Sequence, residues 1–162
     1  MYQKILFIIC LFFILENCSK KEEVSTKPPD ESKAIAIYEE AMEAMNKGEF
    51  FFAAKKFSEA ENILPLVEQS SQAALMSGFC YYTIAFYDEA IMAFDSFKKK
   101  YPVDKNIAYI NYLRALSFYE QILDEEKDIG PLLQSQKIIN KYIKDYPETD
   151  YALDLKFKVA LI

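Results

Sequence analysis

Few side chains in this sequence of 162 residues could do catalytic chemistry. Histidine is absent, which excludes Ser–His and Cys–His catalysis and most zinc sites. The three glycines, Gly48, Gly78 and Gly130, are too scattered to form a glycine-rich phosphate loop. The remaining acid–base candidates are carboxylates at ordinary helix-surface spacing: Glu39, Glu40, Glu43 and Asp88. We therefore expect a protein that is not an enzyme and that uses neither a cofactor nor a metal.

The charge balance also excludes a class of partner. Lysine and arginine together number 19 against 25 acidic residues, so the net charge is −6. An acidic chain without a basic stripe is a poor nucleic-acid binder. Arg114 is the only arginine, and its planar fork suits bidentate pairing with a carboxylate. That carboxylate could belong to a partner or to a neighbouring acidic residue of the chain, and both alternatives stay open.

The N-terminus has the pattern of an export signal. Lys4 precedes an apolar run of eleven residues, 5–15, which is too short to span a bilayer but typical of a signal peptide. The run leads into Leu15-Glu16-Asn17-Cys18, an arrangement similar to a bacterial lipoprotein signal. We expect residues 1–17 to be removed, Cys18 to carry the lipid (palmitate among its acyl chains), and 18–31 to form a polar tether. A plain signal peptide and an uncleaved anchor are the alternatives.

Cysteine usage agrees with this interpretation. Cys10 lies in the segment to be removed, so Cys80 would be the only unmodified cysteine of the exported body. No disulfide framework is then available. A single cysteine on an apolar helix face is usually a buried small hydrophobe, which is what we expect of Cys80.

An internal repeat organises the rest of the chain. Three marks recur after 37 residues: Ala53, Phe57 and Pro65 correspond to Ala90, Phe94 and Pro102. A third copy follows about 45 residues later with weaker marks: Ser135, Ile139 and Pro147. Between these marks the apolar residues follow a helical period. Prolines end helices and a proline can open one, so we place Pro131 at the first position of the sixth helix.

The pattern predicts an all-α domain over 32–162. Its seven helices are expected at 32–47, 50–64, 70–85, 87–100, 105–124, 131–145 and 149–161, with a solvated loop at 124–128. The helix pairs form repeats at about 34–67, 71–104 and 108–147, with a partial repeat at 149–162. These marks resemble the tetratricopeptide repeat (TPR), in which stacked helix pairs form an α-solenoid.

The first helix of each pair lines the concave face of such a solenoid. The residues placed there or beside it as a groove for a partner or an extended apolar peptide are Tyr38, Met42, Phe79, Tyr82, Tyr109, Tyr112, Arg114 and Tyr119. Tyrosine and methionine offer adaptable contact area at modest entropic cost. The alternative is that half of these side chains pack between repeats. Repeats that grip a terminal carboxylate place Lys, Arg or Asn at certain groove positions, which here hold Tyr38, Met42, Leu75 and Phe79, so such a grip is not expected.

Several motifs together resemble one family, the outer-membrane assembly lipoproteins of the BamD (YfiO or ComL) type. They are the start at Cys18 with Pro28-Pro29, the Lys47-Gly48-Glu49-Phe50 turn, the block from Asn106 to Leu116, and Tyr146-Pro147-Glu148-Thr149-Asp150-Tyr151-Ala152. The resemblance covers residues 18–162.

The resemblance implies a non-catalytic subunit of the Bam complex, lipid-anchored at the periplasmic face of the outer membrane. Its implied partners are the barrel-forming Bam subunit, the other Bam lipoproteins and unfolded outer-membrane proteins. N-terminal acylation would attach it to outer-membrane lipid.

Two features depart from the family pattern. Glu16 and Asn17 replace the small residues usual before the lipidated cysteine. Family members have five repeats, whereas the seventh predicted helix here lacks a partner, so we expect a C-terminally truncated form. The alternative function is that of another periplasmic TPR lipoprotein, such as a secretin pilotin or a cell-envelope adaptor.

Overall fold

The computed structural model describes residues 29–124 and 129–161, all of its regular elements being helices. The helices are α1 Pro29–Asn46, α2 Phe50–Glu61, α3 Val67–Thr83, α4 Tyr87–Lys100, α5 Ile107–Asp124, α6 Ile129–Asp145 and α7 Asp150–Val159. This confirms the all-α class, and each predicted helix is present with its ends within about three residues. The predicted signal, lipid attachment and most of the tether (1–28), and most of the loop at 124–128, lie outside the described residues.

The helices stack as a solenoid. Each helix packs against the next one in the chain, and helices two apart also touch, α3 with α5 and α5 with α7. Because neighbours in the chain are joined by short connections, they run antiparallel, and α1, α3, α5 and α7 share one layer. The first repeat is therefore α1 with α2, the second is α3 with α4, and the third is α5 with α6.

The repeat marks form the core between the layers. Ala53, Phe57, Ala90 and Phe94 have no exposed surface, and Ile139 is equally buried. Cys80 is buried as expected, and burial raises the pKa of its thiol to about 11. A thiol with so high a pKa is a packing group rather than a nucleophile.

Prolines and caps set the helix ends. Pro102 and Pro147 each follow the last residue of a second helix by two positions, and Pro65 follows Glu61 by four. Pro131 was placed wrongly: α6 begins at Ile129, so proline takes the third position. It is still in the first turn, where a backbone N–H has no partner within the helix. Thr149 caps α7, its hydroxyl accepting a hydrogen bond of 3.2 Å from the Ala152 N–H.

None of the helices in the described parts of the chain is long and apolar enough to cross a bilayer. The candidate site lies on the layer of first helices, α1, α3, α5 and α7.

Candidate functional site

All eight predicted groove residues lie on the first helices α1, α3 and α5, and six of them form the aromatic and methionine face of that layer. These six are all partly buried and pack against the core: Tyr38, Met42, Phe79, Tyr82, Tyr109 and Tyr112. Half-burial leaves each side chain with an apolar body held by the solenoid and a free edge. These residues can therefore offer contact area to a partner without the cost of ordering flexible side chains.

Tyr112 is the centre of an aromatic cluster between α5 and α7. Its ring stacks on Tyr151 with centroids 4.5 Å apart and lies 6.4 Å from Tyr109. Tyr109 also approaches Tyr151 at 5.5 Å. The Tyr112 hydroxyl donates a hydrogen bond of 3.0 Å to the Asp154 carboxylate. We call Tyr82, Tyr109, Tyr112, Tyr151 and Asp154 the tyrosine cluster.

The electrostatics of the cluster favour neutral phenols beside carboxylates. Burial raises the pKa of Tyr82 to about 12, with further contributions from the charges of Glu120 and Asp154. Burial and the hydrogen bond to Asp154 raise the pKa of Tyr112 as well. Near neutral pH the cluster therefore presents hydroxyl groups and carboxylate oxygens, which can accept hydrogen bonds from a peptide backbone.

Tyr38 belongs to a separate region at the other end of the layer. Its ring meets Phe57 edge-on at 5.2 Å and lines a crevice of about 450 Å³ together with Gln69 and Gln72. The side-chain oxygen of Gln69 is buried without a hydrogen-bond partner. A buried acceptor of this kind is costly unless a donor reaches it, so the crevice suits an occupant with N–H groups.

The other two predicted residues, Tyr119 and Arg114, make contacts within the solenoid. Tyr119 is buried in the core, with the Lys158 ammonium 5.2 Å from its ring. Arg114 turns towards α4, where its guanidinium donates hydrogen bonds of 2.6 and 3.2 Å to the two carboxylate oxygens of Asp95. The guanidinium also lies over Phe118. Arg114 therefore makes the internal pair that the sequence left open.

The sequence prediction missed Tyr151 and Asp154. Groove positions were assigned from the first three repeats, whereas both residues belong to α7, the first helix of the partial fourth repeat. At the 45-residue spacing of the third copy, Asp154 corresponds to the groove residue Tyr109, whereas Tyr151 corresponds to Asn106, which precedes α5, so the spacing points to Asp154 alone. Among the described residues no group of three or more acidic or cysteine side chains could hold a metal ion.

These features define the class of protein: a TPR-like α-solenoid with an aromatic first-helix face. The sequence model of the YfiO family, described as outer membrane lipoprotein, matches residues 30–162. The chain belongs to this family.

Curated relatives are similar over most of the chain. The outer membrane protein assembly factor BamD of Caulobacter vibrioides is 29% identical over 146 residues, which are 90% of this chain and 48% of the relative. The factor of the same name from Rickettsia prowazekii is 29% identical over 156 residues, 96% of this chain and 61% of the relative. The BamD of Neisseria meningitidis serogroup B is 23% identical over an alignment of 164 positions, which covers 94% of this chain and 61% of the relative. The chain thus spans about half to three-fifths of the length of these relatives.

Proposed function

We propose that this chain is a non-catalytic, lipid-anchored subunit of the machinery that assembles β-barrel proteins in the outer membrane. The observation that carries the proposal is the family match over residues 30–162, with relatives named as assembly factors. Acylated Cys18 would hold the solenoid at the periplasmic face of that membrane. Its partners would be the barrel-forming Bam subunit, other Bam lipoproteins and unfolded outer-membrane proteins.

The first-helix face supplies the binding surface. Its half-buried aromatic side chains fit a partner segment that is extended and rich in apolar or aromatic residues. Extended segments expose backbone N–H groups, and the Asp154 carboxylate and the buried side-chain oxygen of Gln69 could accept hydrogen bonds from them. Two regions with the same preference, the tyrosine cluster and the Tyr38 crevice at the other end of the layer, allow one long segment to be held at two points.

The charges of the face argue against a grip on a terminal carboxylate. Carboxylates of Glu120 and Asp154 lie close enough to Tyr82 to raise its pKa. Lys158 is already paired with Asp154 at 3.9 Å and Glu120 adds a further negative charge, so a negatively charged chain end placed there would be repelled. We therefore expect recognition of internal or side-chain features of the client segment rather than of its charge.

Co-purification tests the proposal. The gene product would be tagged at its C-terminus in the source cell and recovered from mildly solubilised membranes. We expect the barrel-forming assembly subunit to co-purify in stoichiometric amount. Its absence, with recovery of a secretin or a wall-linked protein instead, would contradict the proposal in favour of a pilotin or an envelope adaptor.

Site-specific crosslinking tests the binding face separately. A photoreactive phenylalanine analogue at Tyr82 or Tyr112 is expected to capture unfolded outer-membrane proteins. The matched control is the same analogue at Met92, which is exposed on α4 away from the first-helix layer. Equal capture at Met92 and at the two tyrosines would show that the face has no special role.

A further inference from the structure

One edge of the solenoid exposes aliphatic side chains on two successive loops. We call these residues the loop edge: the connection 62–66 between α2 and α3, the first residue of α3, Val67, and the connection 101–106 between α4 and α5. Leu66, Val67 and Val103 are exposed there to 57%, 73% and 95%. Single exposed aliphatics are common, but a group on adjacent loops indicates a contact surface.

The two loops form one continuous surface with the beginning of α1. Val67 and Val103 line the same crevice of about 420 Å³. Leu66 lines the neighbouring crevice together with Ile35, in the second turn of α1. The start of α1 therefore lies at the loop edge, beside the exposed aliphatic side chains.

This position places the tether at the same edge. Eleven residue steps separate Cys18 from Pro29, the first residue of α1. A chain of this length reaches at most ~40 Å even when fully extended. A lipid on Cys18 thus keeps the loop edge within reach of the membrane surface, and the opposite edge lies farther from the point of attachment by the length of α1, about 27 Å.

Two ion pairs neutralise part of the charge at the loop edge. Lys105 pairs with Glu68 at 2.7 Å, and Lys100 pairs with Glu61 at 2.8 Å. Asp104 adds a carboxylate to the same crevice, and a chain of net charge −6 would be repelled by an anionic surface, so the loop edge suits zwitterionic rather than anionic lipid. The loop that joins α6 to α7 differs, since it exposes Glu148 and Asp150.

We propose that the loop edge lies on the bilayer to which the tether is attached, with Leu66, Val67 and Val103 inserted among zwitterionic headgroups. The inference rests on the lipid anchoring of the proposed function. Three aliphatic side chains bind a bilayer weakly, and the tether makes this contact intramolecular, which raises its effective concentration. The contact fixes the orientation of the solenoid, so that the tyrosine cluster stands at the side of the bilayer contact, while the Tyr38 crevice, which Leu66 also lines, opens beside it.

Photocrosslinking to lipid tests the proposal in native membranes. A photoreactive phenylalanine analogue would replace Val103, with the same analogue at Phe52 as the matched control. Phe52 is 44% exposed and begins α2, at the opposite edge. After irradiation, mass spectrometry distinguishes phospholipid adducts from protein adducts. We expect phospholipid adducts at residue 103 and their absence at residue 52.

A second variant measures how much Val67 and Val103 contribute to the contact with lipid. With the analogue at Leu66, the change Val67→Ser with Val103→Ser is expected to reduce lipid adducts by about tenfold or more. Protein adducts alone at residue 103, or equal lipid labelling at residues 52 and 103, would overturn the proposal. If the chain is absent from the membrane fraction, both the anchoring and this inference fail. If it is present without lipid adducts at residue 103, only this inference fails.

Discussion

The second and third repeats use different residues at the same contact between their first and second helices. In the second, Gly78 lies so close to Phe94 that an added Cβ would be 2.5 Å from the Phe94 Cε1 atom. In the third, the corresponding positions are Ala115 and Ile139, and both are fully buried. Alanine at the second-helix mark is also replaced, since Ser135 stands where the other repeats have Ala53 and Ala90.

The difference shows where the fold is tightly specified. Phe94 fills the space that glycine leaves, so both residues of the second repeat depend on each other. The third repeat has the smaller side chain of Ile139 in place of phenylalanine, and the buried hydroxyl of Ser135 has no hydrogen-bond partner. Its packing is supported instead by tyrosines, since Tyr142 lies between Tyr146 at 4.9 Å and Tyr112 at 6.3 Å. We therefore expect substitutions at this contact to destabilise the protein more in the second repeat than in the third.

The largest effect is expected for Gly78→Ala. The added methyl group would collide with the fully buried Phe94 ring, and such overpacking costs about 1–3 kcal/mol even though alanine favours a helix. Urea unfolding followed by circular dichroism measures the loss.

A double variant serves as the control for this collision. Combining Gly78→Ala with Phe94→Ile reproduces the pair of the third repeat, and we expect it to recover part of the stability lost by Gly78→Ala alone. If the free energy of unfolding lost by the double variant equals or exceeds the sum of the losses of the two single variants, the two positions do not compensate for each other.

The repeat marks explain why most of the fold could be predicted from the sequence. Phe57, Phe94 and the three closing prolines recur at a fixed spacing, and each has a local physical effect on packing or on helix ends. The stacking of Tyr112 on Tyr151 and the choice of Asp95 by Arg114 could not be predicted. Both depend on the rotation of one helix against another, and the period of a single helix does not determine that rotation.

A smaller effect of opposite sign is expected for Ser135→Ala. The buried hydroxyl lacks a partner, so its removal restores the alanine of the other repeats and should stabilise the fold by about 1 kcal/mol. The matched control is Ser77→Ala, because the Ser77 hydroxyl donates a hydrogen bond of 2.9 Å to the Ala54 carbonyl. We expect that control to lose stability in the same thermal melts. A loss in Ser135→Ala as well would mean that this hydroxyl is satisfied.

The turns within the first and second repeats provide a third comparison. Gly48 and Ala85 occupy the same repeat position, with φ values of +79° and +60°. The left-handed conformation is costly for alanine and free for glycine, so Ala85→Gly should stabilise the protein by about 0.5–1 kcal/mol. Gly48→Ala is the reciprocal change and should destabilise it. Equal melting temperatures for the two variants would contradict the assignment of strain to Ala85.

The smallest effect at neutral pH concerns the phenols of the two repeats, Tyr82 in the second and Tyr112 in the third. Burial raises the pKa of Tyr82 from 10.0 to about 12, and the pKa of Tyr112 rises through burial and its hydrogen bond to Asp154. A phenol whose pKa is higher in the folded state contributes its stability fully below pH 10. That contribution is lost as the pH rises through the folded-state pKa.

Melting temperature should therefore fall as the pH is raised from about 10 to about 12, and tyrosinate absorbance should follow the same rise. Asp154→Asn separates the two residues. Removing this carboxylate takes away both the hydrogen-bond acceptor of Tyr112 and a charge near it, whereas for Tyr82 it takes away only a charge whose effect on the pKa follows those of burial and Glu120. We expect the absorbance titration of the Tyr82→Phe protein, in which Tyr112 remains, to shift to lower pH on adding Asp154→Asn. The shift should be smaller in the Tyr112→Phe protein. Equal shifts in both would show that Asp154 acts on the cluster through its charge alone, and that the 3.0 Å hydrogen bond to Tyr112 contributes nothing specific.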